Sequence, residues 1–337
     1  MPIVIVTDPR FMAHDVGKAH PERPQRLRAV DEGVALAGLA GELLPVAPRP
    51  ATAAELERVH SDGYVSALER FCRSGGGWLD GDTGAVPASW EAALLAAGAG
   101  LTAIERLDAG EAVAAFCAVR PPGHHALTSR AMGFCLFNNV AVAAAALADR
   151  GEHVLVVDYD AHHGNGTQDA FYDDPRVVYV SLHQYPLYPG TGSVLETGEG
   201  NGRGTTVNLP VPAGTTGDVF RAAVDEVIAP LADAFQPTWL LLSAGFDAHR
   251  SDPLTDLGLT SGDYADLTAE LLALVPAGRR LAFLEGGYDL AALRDSTAAA
   301  LVALAGGRLH PETPSSGGPG LDVVAAAGLA HSRAMQC

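Results

Sequence analysis

What this chain lacks narrows its class before any motif is read. Its four cysteines, Cys72, Cys117, Cys135 and Cys337, form no CxxC pair, which argues against a disulfide framework and for reduced thiols in the cytoplasm. Met1 to Thr7 has neither a basic n-region nor a long apolar h-region, so no signal peptide is read there. No apolar run reaches the ~20 residues that a bilayer span needs; Ala141 to Leu147 and Ala298 to Ala305 are short, alanine-rich helical runs. No internal repeat is evident. Positive charge is scarce: 22 Lys and Arg stand against 40 Asp and Glu, a net charge of −18. That argues against a nucleic-acid partner, which would need a basic patch. It suits a cationic substrate, a lysine-bearing peptide or a polyamine, although solubility alone is the plainer account of such acidity.

What is present reads as one large α/β domain. Hydrophobic residues make up 48% of the 337, enough for a sizeable core. Strand-like runs at Pro2–Thr7, Leu43–Ala47, Val113–Val119, His153–Asp158, Arg176–Leu182, Thr205–Leu209, Thr238–Ala244 and Arg280–Glu285 alternate with helical ones. The helices are expected at Pro24–Leu39, Ser89–Leu107, Asn138–Arg150, Thr216–Ala234, Ser261–Leu274 and Leu290–Leu304, with Ser89 and Ser261 as N-caps. Such alternation implies an eight-stranded, mostly parallel sheet with helices on both faces. The domain is expected to span residues 1–309. Residues 310–337 are read as a linker rich in proline and glycine, then a short helix, Leu321–Ala330, packed on or trailing from the domain.

In open parallel sheets, ligands bind outside the carboxyl ends of the strands. Five polar clusters fall at those ends. Asp158, Asp160 and His162 alternate beyond the fourth strand, so at strand period they start on one face, and glycines follow to permit a sharp turn. Two carboxylates and an imidazole suit a borderline cation such as zinc. Arg120-Pro121-Pro122-Gly123-His124-His125 follows the third strand, and Ser181-Leu182-His183 ends the fifth. Ser243-Ala244-Gly245-Phe246-Asp247 ends the seventh, and Glu285-Gly286-Gly287-Tyr288 the eighth.

These clusters, together with Gly133-Phe134-Cys135-Leu136-Phe137-Asn138-Asn139, resemble the histone deacetylase family within the arginase–deacetylase fold. All six motifs occur in the family's order, from about Gly17 to Ala300. His20-Pro21-Glu22-Arg23-Pro24-Gln25-Arg26 and Asn165 resemble the class II branch and its bacterial relatives, including the acetylpolyamine amidohydrolases. The resemblance implies a metal site of Asp160, His162 and Asp247, holding Zn2+, with Fe2+ or Mn2+ not excluded by oxygen-rich ligands. It implies His125 as general base and His124 as its electrostatic neighbour, oriented by Asn165 and Asp158 respectively. Tyr288 becomes the donor to the developing oxyanion. Phe134 and Tyr188 would flank an acyl-lysine tunnel, with Gly133 and Leu254 in its wall and Asp82 at the rim. Asp158, Asp160, His162, Ser181 and Leu182 match a structural K+ site. Arg26 falls near an acetate-exit cavity, with a surface salt bridge as the rival reading.

The activity implied is hydrolysis of an N-acetyl amide to acetate and free amine. Acetyl-lysine in a peptide or protein and an acetylated polyamine are the competing substrates. A gatekeeping acid of the polyamine kind is replaced here by Leu254, and Asp252 is a candidate for a distal ammonium or a loop cap. An arginase-like ureohydrolase lacks its further Asp ligands in this sequence, and a non-catalytic acyl-lysine module would not keep Tyr288. His14, His60, His153, His163, His249 and His331 read as surface groups or neighbours of the site. A homo-oligomer is compatible with the resemblance, but no interface can be read.

Overall fold

The computed structural model describes residues 2–336; Met1 and Cys337 lie outside the described residues. The other three cysteines are free and buried. Eight strands build the main sheet: β1 (Ile3–Val6), β2 (Leu43–Val46), β3 (Ala114–Cys117), β4 (Val154–Asp158), β5 (Val177–Gln184), β6 (Thr206–Val211), β7 (Trp239–Ala244) and β8 (Arg280–Leu284). Each matches one of the apolar runs of the sequence. Their order across the sheet is β2-β1-β3-β8-β7-β4-β5-β6, and every pairing is parallel.

The strands are apolar at nearly every position because both faces are covered. On one side Gln25–Leu36 packs on Leu290–Leu304, which packs in turn on Ser261–Leu272; on the other Ser89–Asp108 packs on Asn139–Ala148. The first contact is close: a Cβ on Gly33 would lie 2.5 Å from the Arg294 carbonyl oxygen. No helix among the described residues is long and apolar enough to cross a membrane.

Several local expectations are corrected. The single helix expected at Thr216–Ala234 is three pieces, Gly217–Ala223, a π-turn at Val224–Ile228, and Ala229–Phe235. Pro230 has no N–H for the carbonyl four residues back, and the widened turn accommodates the gap. Ser89 and Ser261 are the first helical residues rather than caps. Ser89 accepts instead from the Val86 amide at 2.8 Å, and Thr260 caps the later helix through a reciprocal pair with Asp263. The helix Asp62–Arg73, the short helices Ala53–Leu56 and Asn165–Phe171, and a hairpin of Gly77–Trp78 with Gly84–Ala85 add to the expected elements. The last helix runs Leu321–Ala334 and packs against β6 and the π-turn.

Candidate active site

Four adjacent strands, β3, β8, β7 and β4, deliver the polar clusters to one end of the sheet. Their order in space is not their order in sequence, so residues 120–125, 285–288, 243–247 and 158–165 become neighbours. Asp160, His162 and Asp247 each offer a ligand atom, and these atoms lie within 4.8 Å of one another. His162 Nδ1 is 2.8 Å from Asp247 Oδ2 and 3.2 Å from Asp160 Oδ1.

The donor set fits a divalent cation. One imidazole and two carboxylates are buried together, and burial with the neighbouring Asp160 charge pushes Asp247 up to about 7. A cation between them would remove that repulsion. Glycine lines the approach: a Cβ on Gly286 would lie 2.3 Å from Asp247 Oδ2. Each carboxylate keeps its second oxygen on the backbone, Asp160 Oδ2 accepting from the Gly286 amide at 2.7 Å and Asp247 Oδ1 from the Ala161 amide at 2.8 Å. This orients the remaining oxygens.

Asp158 stands outside this cluster and has other partners. Its Oδ2 accepts from His124 Nδ1 and from the Tyr179 hydroxyl, both at 3.0 Å. His125 Nδ1 lies 2.8 Å from Asn165 Oδ1 and donates to it. The tandem rings are 4.0 Å apart at their centroids. Burial lowers the His124 pKa, but the Asp160 and Asp158 carboxylates outweigh it and hold the ring at about 10. His125 is held well below the ordinary imidazole value by burial, then by the positive charges of His124 and His162. The pair is split: the carboxylates favour the charged form of His124, and burial with the neighbouring positive charges favours the neutral form of His125.

The turn that aims both rings is fixed by Glu285, a residue the sequence presents only as part of a motif. Its Oε2 accepts from the amides of Gly123 and His124 at 2.7 and 3.2 Å. Burial raises the Glu285 pKa to about 7.

A narrow cavity of about 240 Å³ leads to this cluster and is lined by Asp82, His125, Gly133, Phe134, His162, Leu187, Tyr188, Leu254 and Tyr288. Phe134 meets the Tyr288 ring edge-on at 5.8 Å, and Tyr188 meets His125 edge-on at 5.2 Å. Gly133 has φ +56, and a Cβ there would lie 2.3 Å from His125 Cδ2. Phe134 follows in the left-handed region with φ 68, a costly conformation for a non-glycine residue that swings its ring to the wall. Asp82 sits at the mouth, where its carbonyl accepts from His20 Nε2 at 2.9 Å.

For two further residues the structure decides between the readings left open by the sequence. Arg26 is fully buried, which rules out a surface salt bridge. It donates to the carbonyls of Gly287 (2.7 Å) and Glu285 and to Glu22, and its guanidinium lies 5.0 Å from the Tyr288 ring centroid. Asp252 is buried and engaged: it accepts from the amides of Tyr288 at 2.7 Å, Leu254 at 3.0 Å and Asp289 at 3.4 Å. Both of its oxygens hold backbone, the part of a loop cap. His14, His60, His163 and His249 are interior groups rather than surface ones. Ser181 is buried opposite Asp158 on the adjacent strand, and its hydroxyl pairs with His183 Nδ1 at 2.9 Å; Leu182 is buried beside it.

A histone deacetylase domain model matches residues 20–304. The chain is 40% identical over 318 residues to histone deacetylase 10, chloroplastic, of Oryza sativa subsp. japonica, covering 88% of this chain and 71% of that protein. It is 39% identical over 292 residues to a probable deacetylase of Archaeoglobus fulgidus, covering 85% of this chain and 81% of that one. Its fold matches the crystal structure of the HDA15 HD domain with a TM-score of 0.91 at 38% identity, over 98% of this chain and 95% of that chain.

Proposed function

Because this chain belongs to the histone deacetylase family, we propose that it is a zinc-dependent amidohydrolase that cleaves an acetyl-lysine-type amide to acetate and free amine. One observation carries the reading: His125, Tyr288 and His162 line one narrow cavity, and His162 belongs to the candidate metal triad with Asp160 and Asp247. A cation held by Asp160, His162 and Asp247 would supply Lewis acidity toward the amide carbonyl and make a water more acidic. The remaining chemistry belongs to the side chains. His125 has its Nδ1–H committed to Asn165, so Nε2 is the free base that takes a proton as the water oxygen bonds to the carbonyl carbon. The Tyr288 hydroxyl, whose pKa burial pushes up, stays protonated and donates to the oxyanion that forms. Collapse breaks the C–N bond, and the proton on His125 passes to the leaving nitrogen. His124 remains cationic against Asp158 and steadies the negative charge of the transition state.

The same reading includes a K+ ion in a buried setting around Asp158, Asp160, His162, Ser181 and Leu182. It favours a peptide over a polyamine, because Asp252 is occupied by backbone amides and Leu254 lines the cavity. The test is kcat/KM of the zinc-loaded protein on an acetyl-lysine peptide and on acetylputrescine, side by side. A peptide preference of about tenfold or more, ~1.4 kcal/mol in transition-state binding, is expected. An equal preference for acetylputrescine would overturn the substrate assignment and bring Asp82 to the centre of specificity.

A further inference from the structure

The loop after β7 carries more of the site than its one metal-ligand candidate. It begins at Asp247, and the Asp247 carbonyl accepts from the Thr255 hydroxyl at 2.5 Å. Its middle supplies Asp252, whose carboxylate holds the amides of Tyr288 and Leu254. One buried acid thus sets both the proposed oxyanion donor and a wall of the cavity. The loop is fastened from outside by a segment that lies beyond the family match, which ends at residue 304.

The fastening is specific. Glu312 Oε2 lies 2.6 Å from His249 Nε2, and its Oε1 accepts from Arg250 at 2.6 Å. His249 is buried, and its Nδ1 accepts from the Ser251 amide at 3.1 Å. A ring nitrogen that accepts from an N–H bears no proton, so Nε2 carries the hydrogen and donates it to Glu312. The His249 carbonyl then accepts from the Asp252 amide at 2.8 Å. A continuous path runs from Glu312 through His249 to Asp252, and from Asp252 to Tyr288. Glu312 is itself anchored by the amide and hydroxyl of Ser261, both at 3.0 Å. Ser315 fastens the same segment elsewhere, to Asp263 at 2.6 Å, without touching the loop.

We propose that Glu312 is a positioning residue for this site: through His249 it fixes the 247–254 loop so that Asp252 holds Tyr288 and Leu254 in place. The proposal rests on the deacetylase reading above. Without this acceptor the buried His249 N–H loses its partner and the loop relaxes, and small displacements at a reacting centre cost large factors in rate.

The experiment compares wild type, E312A, E312Q, S315A, Y288F and the double variant E312A/Y288F on an acetyl-lysine peptide, with metal content and Tm measured on each. E312A is expected to lower kcat at least tenfold with metal content unchanged. E312Q keeps a carbonyl acceptor for His249 and is expected to recover most of the rate. S315A is expected to lower Tm and leave kcat at the wild-type level. In the Y288F background, E312A should cost little further, because the hydroxyl it positions is already gone. H249A breaks the same bond from the loop side and replaces E312A if that variant does not fold. Full additivity with Y288F, or equal kcat losses in E312A and S315A, would overturn the proposal. An inactive wild type that holds its metal would instead overturn the deacetylase reading.

Discussion

Asn165 offers His125 a carbonyl oxygen at 2.8 Å where a carboxylate would fill similar space. An anion there would favour the imidazolium and raise the pKa of the ring. A general base works only when neutral, so raising its pKa moves the acid-side loss of activity to higher pH. In N165D the acid limb of kcat/KM should therefore shift upward by about one pH unit, read from a pH–rate profile. An unmoved limb would mean that His125 is not the base. At this scale the sequence is informative where chemistry forces unusual residue types together: Asp160, His162 and the tandem His124 and His125 stand out by spacing alone. Asp252 and Glu285 are harder to read. Their partners are backbone amides of other strand ends, at Tyr288 and at Gly123 and His124, and an amide leaves no mark in the sequence. Arg26 reads ambiguously for a related reason, since burial of a lone arginine depends on which carbonyls the fold brings to it.

Among the elements, the strands are the legible part. A strand buried on both faces must be apolar throughout, so β4 and β7 announce themselves as runs bounded by polar residues. Their order in the sheet is not legible, because an apolar run carries no record of which neighbour it pairs with. The site depends on that order: β8 inserts between β3 and β7 and so brings Glu285 and Tyr288 beside His124 and Asp247. The helix Asp62–Arg73 does carry a signal, with Ser61 accepting from the Tyr64 amide as N-cap and Val65, Leu68 and Cys72 buried at helical spacing. The hairpin at Gly77–Trp78 is too short for any period to show. Pro230 marks the break in the long helix, although only the packed structure reveals that the chain answers with a π-turn and continues.

For the molecule as a whole, a buried ion network under the site joins the chain's beginning to its centre. Glu22, fully buried, pairs with Arg120 and with Arg26, and Arg120 also donates to the carbonyls of Phe11 and His14, both at 2.9 Å. Burial alone would raise the Glu22 pKa, yet Arg120 and His14 hold it well below 4.5. As pH falls below that value the unfolded chain takes up the proton first, so the stabilisation is complete above about 4.5 and is lost toward lower pH. E22Q leaves the two arginines without their counter-charge and should cost about 3–5 kcal/mol in denaturant unfolding at pH 7, with the gap to wild type narrowing in acid. A gap that stays constant with pH would show that the carboxylate charge is not what holds the segment. The central proposal joins all three scales: that the end of this sheet works as a metal-dependent acetamide hydrolase. Its most direct test is acetate release from an acetyl-lysine peptide by chelator-stripped protein titrated with Zn2+. The account predicts that activity rises to a plateau near one bound equivalent and that D247A removes both the binding and the activity. Zinc bound at Asp160, His162 and Asp247 with no acetate released from any acetylated amine would contradict it.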